Sequence, residues 1–202
     1  MTLRKRGSLQ RSISGKDAGQ VEAVWGMFLV TILAVLLYTR LQLAVWQTAG
    51  MYLEDALAAS NLASALIDVE EYGRSNKIII EDMESAYQIY EGAVRENLQL
   101  DGQWENADKE LISGRVEIAD YIIYNVDGTM VYASRIARDG HVAESWRGRV
   151  GEVYAPNGLK VEHTGVYSEI TFPVRGFRGM MIPAHKGKLV EIVDEKGAGN
   201  EG

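Results

Sequence analysis

Ala23-Val-Trp-Gly-Met-Phe-Leu-Val-Thr-Ile-Leu-Ala-Val-Leu-Leu-Tyr-Thr-Arg-Leu-Gln-Leu-Ala-Val-Trp46 is the stretch on which the reading of this chain turns. Between Glu22 and Glu54 it carries one charge, Arg40. About 20 mostly apolar residues suffice for a helix to cross a bilayer. Trp25 and Trp46 bracket the run, and at helical rise they stand roughly 32 Å apart. Tryptophan favours the membrane edge, where the ring is dry and the indole N–H stays wet. The run therefore reads as a membrane span, with Trp25, Arg40 and Trp46 as interface anchors.

Charge sets the expected orientation. Arg4, Lys5, Arg6, Arg11 and Lys16 precede the span, against Asp17 and Glu22. Residues 47–101 carry eleven acids against Arg74, Lys77 and Arg95. The positive-inside rule puts the N-terminus in the cytoplasm and the bulk of the chain outside. A cleaved secretory signal would have a shorter apolar core followed by a small-residue cleavage site. Here Arg40 to Trp46 continues as helix, so an anchor is expected.

The net charge of −7 argues against nucleic acid, which rewards clustered Lys and Arg. The chain has no cysteine, which removes disulfides and thiolate metal sites. Its organisation reads as a basic leader (1–20), a transmembrane helix (21–47), a helical region (48–100), an antiparallel β domain (101–196) and a flexible tail (197–202).

Small residues between Ala56 and Ala65, interleaved with Leu57 and Leu62, extend the first helix beyond the span, with Gly73 as its stop. The expected length is roughly 45 to 50 residues, well beyond the globular range. Ile80, Met83, Tyr87, Tyr90, Val94 and Leu98 recur at helical spacing and predict a second helix, closed by Asp101-Gly102. Its tyrosines read as packing residues.

From Val116 the period changes to two. Tyr121–Tyr124, Asp127-Gly128 and Met130–Tyr132 predict a hairpin with a type I′ turn. Ala155-Pro-Asn-Gly158 is a second turn signal. Leu159–His163, Val166–Val174 and Leu189–Val193 are further strand candidates, and Gly176-Phe-Arg-Gly179 reads as a strand connection. Helices first and strands last imply an α+β fold with an antiparallel sheet packed on helix.

Gly19-Gln-Val-Glu-Ala23, followed by the apolar run, resembles the start of type IV pilin-like proteins, and most closely the TadE-like family of tight-adherence pilus systems. The resemblance covers about 25 residues in sequence and the remainder in layout. It implies a pilin-like fold and a minor pilin or pseudopilin serving a Tad-type pilus, or a secretion or conjugation-associated apparatus. The implied partners are the membrane, other pilin-like subunits and their assembly machinery, and a prepilin peptidase cutting after Gly15 or Gly19. Glu22 would set the register between subunits by pairing with a neighbour's freed α-amino group. These families place that acid fifth after the cut. Here it is third after Gly19 and seventh after Gly15.

No catalytic constellation stands out, so no enzyme, cofactor or metal is expected. His141, His163 and His185 lie 22 residues apart at each step, without metal-ligand spacing. Walker, dinucleotide and nucleophile-elbow motifs are absent. Glu162 and Glu169 could face each other across a turn, but single carboxylates on strands read as solvated. The alternative function is an anchored extracytoplasmic ligand-binding or sensory domain, against which the short N-terminal segment speaks.

Overall fold

The computed structural model describes residues 16–106, 112–175 and 180–193. Gly15, the 176–179 connection and the 197–202 tail lie outside the described residues. The chain divides into two compact units, Met1–Gln47 and Thr48–Gly202.

Helix α1 (Lys16–Ser64) is 49 residues long. In the first unit its large apolar side chains from Val21 to Trp46 are exposed. Val24, Met27, Val30, Leu33 and Leu41 are each more than half exposed. This helix is long and apolar enough to cross a membrane. Its two threonines hide their hydroxyls from an apolar surround. Thr31 and Thr39 donate to the carbonyls of Met27 and Val35, each at 2.8 Å.

In the second unit α1 buries Leu53, Ala56, Leu57, Ser60, Asn61 and Ser64, one face at spacings of three and four. It stops at Ser64, short of the expected Gly73. The cause is Asp68, whose carboxylate accepts the N–H groups of Glu70 and Glu71 and caps a separate helix, α2 (Val69–Ser75). Gly73 lies inside α2, and Asn76 in the left-handed conformation ends it.

Helix α3 (Met83–Asn97) is capped by Asp82, which accepts from the Ser85 N–H. It ends before the expected Asp101-Gly102. Gln99 adopts φ +51°, its N–H donates to Glu96, and the Leu100 N–H donates to Arg95. Those two bonds make a Schellman motif.

Five strands follow: β1 (Glu117–Asp127), β2 (Met130–Ile136), β3 (Val142–Arg149), β4 (Gly165–Arg175) and β5 (Met181–Glu191). They form one antiparallel sheet in the order β3-β2-β1-β4-β5. The fold is α+β. β1 is central, and Tyr121, Ile122, Ile123 and Tyr124 are fully buried because both of its faces are covered. Tyr121, Ile123, Val166 and Ile170 pack toward the helices. Ile122, Tyr124, Ala133 and Tyr167 form a smaller core on the other face, closed by Val153, Ala155 and Val161.

Local features differ from expectation for identifiable reasons. Asp127 pairs with Met130, so the first turn is Gly128-Thr129, with positive φ at Gly128 and not at Thr129. That is the type II′ pattern rather than I′. Leu159–His163 forms no strand. It is one arm of a short hairpin with the single bridge Tyr154–Lys160, turned by the three-residue loop 156–158 with Gly158 at φ +82°. β5 begins at Met181, eight residues before the expected Leu189, and Pro183 pairs with Pro173. Both positions suit proline because β5 is an edge and β1 pairs with β4 only as far as Thr171. β3 was not anticipated. It too is an edge, and most of its residues are exposed, so alternation is lost.

Candidate functional site

Each site residue expected from sequence and described in the structure lies on α1. Gly19 is within its first turns. Glu22, Trp25, Arg40 and Trp46 are all exposed. The Trp25 ring meets Phe28 edge-on at 5.9 Å between centroids. Glu22 and Arg40 are separated by roughly 27 Å of helix, so these residues form a series along a rod and not a converging site.

What sequence reasoning missed is a polar seam fastening α1 to the sheet. Glu54 sits between two lysines of β5, with Lys186 Nζ at 2.8 Å and Lys188 Nζ at 2.6 Å. The bonds to Lys186 and then Lys188 hold the Glu54 carboxyl down to about 2. One helical turn and more beyond, Asn61 Nδ2 donates to the Lys188 carbonyl at 2.8 Å. At the end of the helix the Tyr121 hydroxyl donates to Ser64 Oγ at 2.9 Å. Tyr52 and Ser60 complete the seam toward α3. The Tyr52 hydroxyl donates to the Asn97 carbonyl at 2.6 Å, and Asn97 Nδ2 donates to Ser60 Oγ at 3.0 Å.

Buried tyrosines pack beneath this seam. Tyr90 and Tyr121 lie 4.6 Å apart between centroids, and Tyr87 meets Tyr121 edge-on at 5.4 Å. Burial pushes the Tyr90 and Tyr121 hydroxyls well above their ordinary range, so both stay neutral. The packing role expected for the α3 tyrosines agrees with these contacts.

The opposite face of the sheet carries a polar strip. Arg135 bonds Asp120 at 3.0 Å and Glu144 at 2.8 Å, while its guanidinium lies 5.6 Å from the Trp146 ring centroid. The Tyr167 hydroxyl donates to Glu169 at 2.7 Å, and His185 Nδ1 lies 3.0 Å from the same carboxylate. Burial, then the Glu169 bond, pushes the Tyr167 hydroxyl up. Burial pushes Tyr124 up to about 12. Each charge in the strip has a partner on an adjacent strand, the cross-strand arrangement that stabilises sheets.

Glu169 is mid-β4 and paired as above, while the Glu162 N–H donates to Glu191 at 2.7 Å. The histidines also stand apart. His141 lies between β2 and β3, His163 precedes β4, and His185 is on β5. Among the described residues no group of three or more metal-ligating side chains converges. Three surface clefts of about 150, 280 and 170 Å³ are bordered by Trp104, Met181 and Ala143 respectively.

No protein-family model, no curated protein and no solved structure matches the chain.

Proposed function

We propose that this chain is a membrane-anchored structural subunit of the pilin or pseudopilin kind, packing against other pilin-like subunits through α1. One observation carries the reading: α1 keeps large apolar side chains uncovered beyond the apolar run. Met51 and Leu62 are 60% and 62% exposed. Asp55 and Ala59 lie between them, also exposed, at helical spacing, and Asp55 is the one charge among the four. A monomeric domain in water has little use for two such side chains on one helix. A bundle buries them, and alanines among them permit close approach.

In this reading the leader is cytoplasmic and residues beyond Trp46 are extracytoplasmic, on the cell surface or in the periplasm. A prepilin-type peptidase cuts after Gly19 or Gly15, and Glu22 meets the freed amine of a neighbour. The subunit acts within a Tad-type pilus, or a secretion or conjugation-associated apparatus, and catalyses nothing. The ligand-binding alternative is less well supported, because the clefts beside Trp104, Met181 and Ala143, among the described residues, are each smaller than the roughly 300–1,000 Å³ of small-molecule sites.

Because the chain lacks cysteine, single-cysteine variants give a clean test in native membranes. Met51→Cys and Leu62→Cys are expected to cross-link between subunits, and Val142→Cys on the β3 edge is not. Intact mass is expected to show cleavage after Gly19 or Gly15. An uncut chain with no α1 cross-link would sink the proposal.

A further inference from the structure

We infer that α1 of a second copy of this chain packs on the first at an offset of 18 residues, pairing Glu22 of one copy with Arg40 of the other. The inference rests on the anchored-subunit reading above, and it adds a second neighbour to the one whose amine meets Glu22. Glu22 and Arg40 are the only charged residues from 18 to 53, and both are exposed. Neither has an opposite charge within reach along α1. Lys16 is six residues before Glu22, and Glu54 is fourteen after Arg40. Pairing along a helix needs a spacing of three or four. A charge on an apolar helix calls for a partner from outside it.

The spacing names the partner. Eighteen residues make about five turns of helix, so Glu22 and Arg40 lie on one face, roughly 27 Å apart. Leu29, Leu33 and Leu36 lie between them on that face, each more than half exposed. At equal height, two parallel copies set Glu22 against Glu22 and Arg40 against Arg40. Like charges in an apolar surround repel strongly. Raising one copy by five turns sets opposite charges together instead. The same displacement brings Gly26 of the raised copy to Ala44 of the other. Both are exposed and share the face of the charges. A Cβ at Gly26 would meet nothing within 4 Å, so its own chain does not require glycine there. Glycine weakens a helix, and two small residues at matching heights let the backbones approach.

The displacement also says where the pair forms. A rise of about 27 Å nearly equals the roughly 30 Å of bilayer hydrocarbon, so the raised copy has been drawn almost wholly out of the lipid. Copies still side by side in the bilayer meet in register and repel at both charges. Copies stacked in an assembly pair them. Glu22 and Arg40 thereby favour the stacked form over association within the membrane.

The test uses two differently tagged copies of the full chain, expressed together in the native host, one carrying Leu29→Cys and the other Gln47→Cys. These positions share the 18-residue offset, and the mixed disulfide is expected to form. Leu29→Cys in both copies reports the in-register pair and is expected to cross-link far less. Trp25→Cys with Leu43→Cys has the same offset and serves if either variant is not inserted. Arg40→Gln is expected to lower the mixed product by about tenfold or more, since it strands Glu22 without its partner. Arg40→Lys is expected to retain it. A mixed product indifferent to Arg40→Gln, or an in-register product in its place, overturns the pairing. Cross-links at Met51→Cys and Leu62→Cys without the mixed product overturn the offset alone. Absence of every α1 cross-link overturns the subunit reading itself.

Discussion

The ring of Tyr167 on β4 lies over Gly187 on β5, filling the space where a side chain would stand. A Cβ placed at Gly187 would clash with the Tyr167 hydroxyl and lie 2.9 Å from its Cζ. Tyr167 is 1% exposed and pairs in register with Leu189, so the ring reaches Gly187 diagonally. The glycine is what allows a large aromatic to cover an edge strand.

Gly187→Ala is therefore expected to lower stability by about 1–3 kcal/mol, the usual cost of overpacking. Urea melts of the detergent-solubilised chain would read the change. Combining it with Tyr167→Leu is expected to cost less than the sum of the two. Additive costs would mean the ring and the glycine are not coupled.

The Glu54 clamp makes α1 docking sensitive to acid. Its folded value of about 2 lies below the ordinary 4.5, so its stabilisation is complete above that value. The stabilisation is lost as pH falls from 4.5 toward 2. Glu54→Gln is expected to cost about 0.2–1 kcal/mol at neutral pH, since the pair is partly exposed. The gap between the two proteins should close at low pH. A gap constant from pH 6 to pH 2.5 would exclude the mechanism.

Asn61→Asp removes the donor to the Lys188 carbonyl and sets a carboxylate in a fully buried position. A loss of at least about 1–3 kcal/mol is expected at pH 7. Burial raises the new carboxyl's value, so the variant should recover as pH falls and the protonated acid donates in place of the amide. Thermal melts at pH 4 and pH 7 would show the recovery. A variant more stable at the higher pH would contradict it.

Gln99 holds a left-handed conformation at the end of α3, a position where glycine lacks the steric cost. Gln99→Gly is expected to stabilise by up to about 1 kcal/mol, net of the freedom glycine gains when unfolded. Melting temperature is a sufficient readout, and a decrease would refute the strain.

The readable parts of this fold are those with local periodicity. The long apolar helix announces itself by composition, and α3 by the spacing of Tyr87, Tyr90 and Val94. β1 and β2 follow from two-fold alternation around a glycine turn. The end of α1 was misplaced because Asp68 competes as a new N-cap, and its effect depends on the N–H groups it collects rather than on hydropathy. β3 escaped because Val142–Arg149 covers little core, so neither face requires apolar side chains. The seam was invisible for another reason. Glu54 and Lys186 are 132 residues apart, and nothing near either residue signals the other.

The polar seam also determines how the domain responds to tension. Glu54, Asn61 and Ser64 are bonded at successive levels along one stiff helix, to β5 and β1. A pull transmitted along α1 from its N-terminal side acts on all three attachments together, in shear, instead of opening them one after another. β5 is further joined to β4 by eleven paired positions, so the load passes into the sheet rather than detaching its edge. The helix end of this domain is built as a grip, and its strength under force should exceed what its equilibrium stability alone suggests.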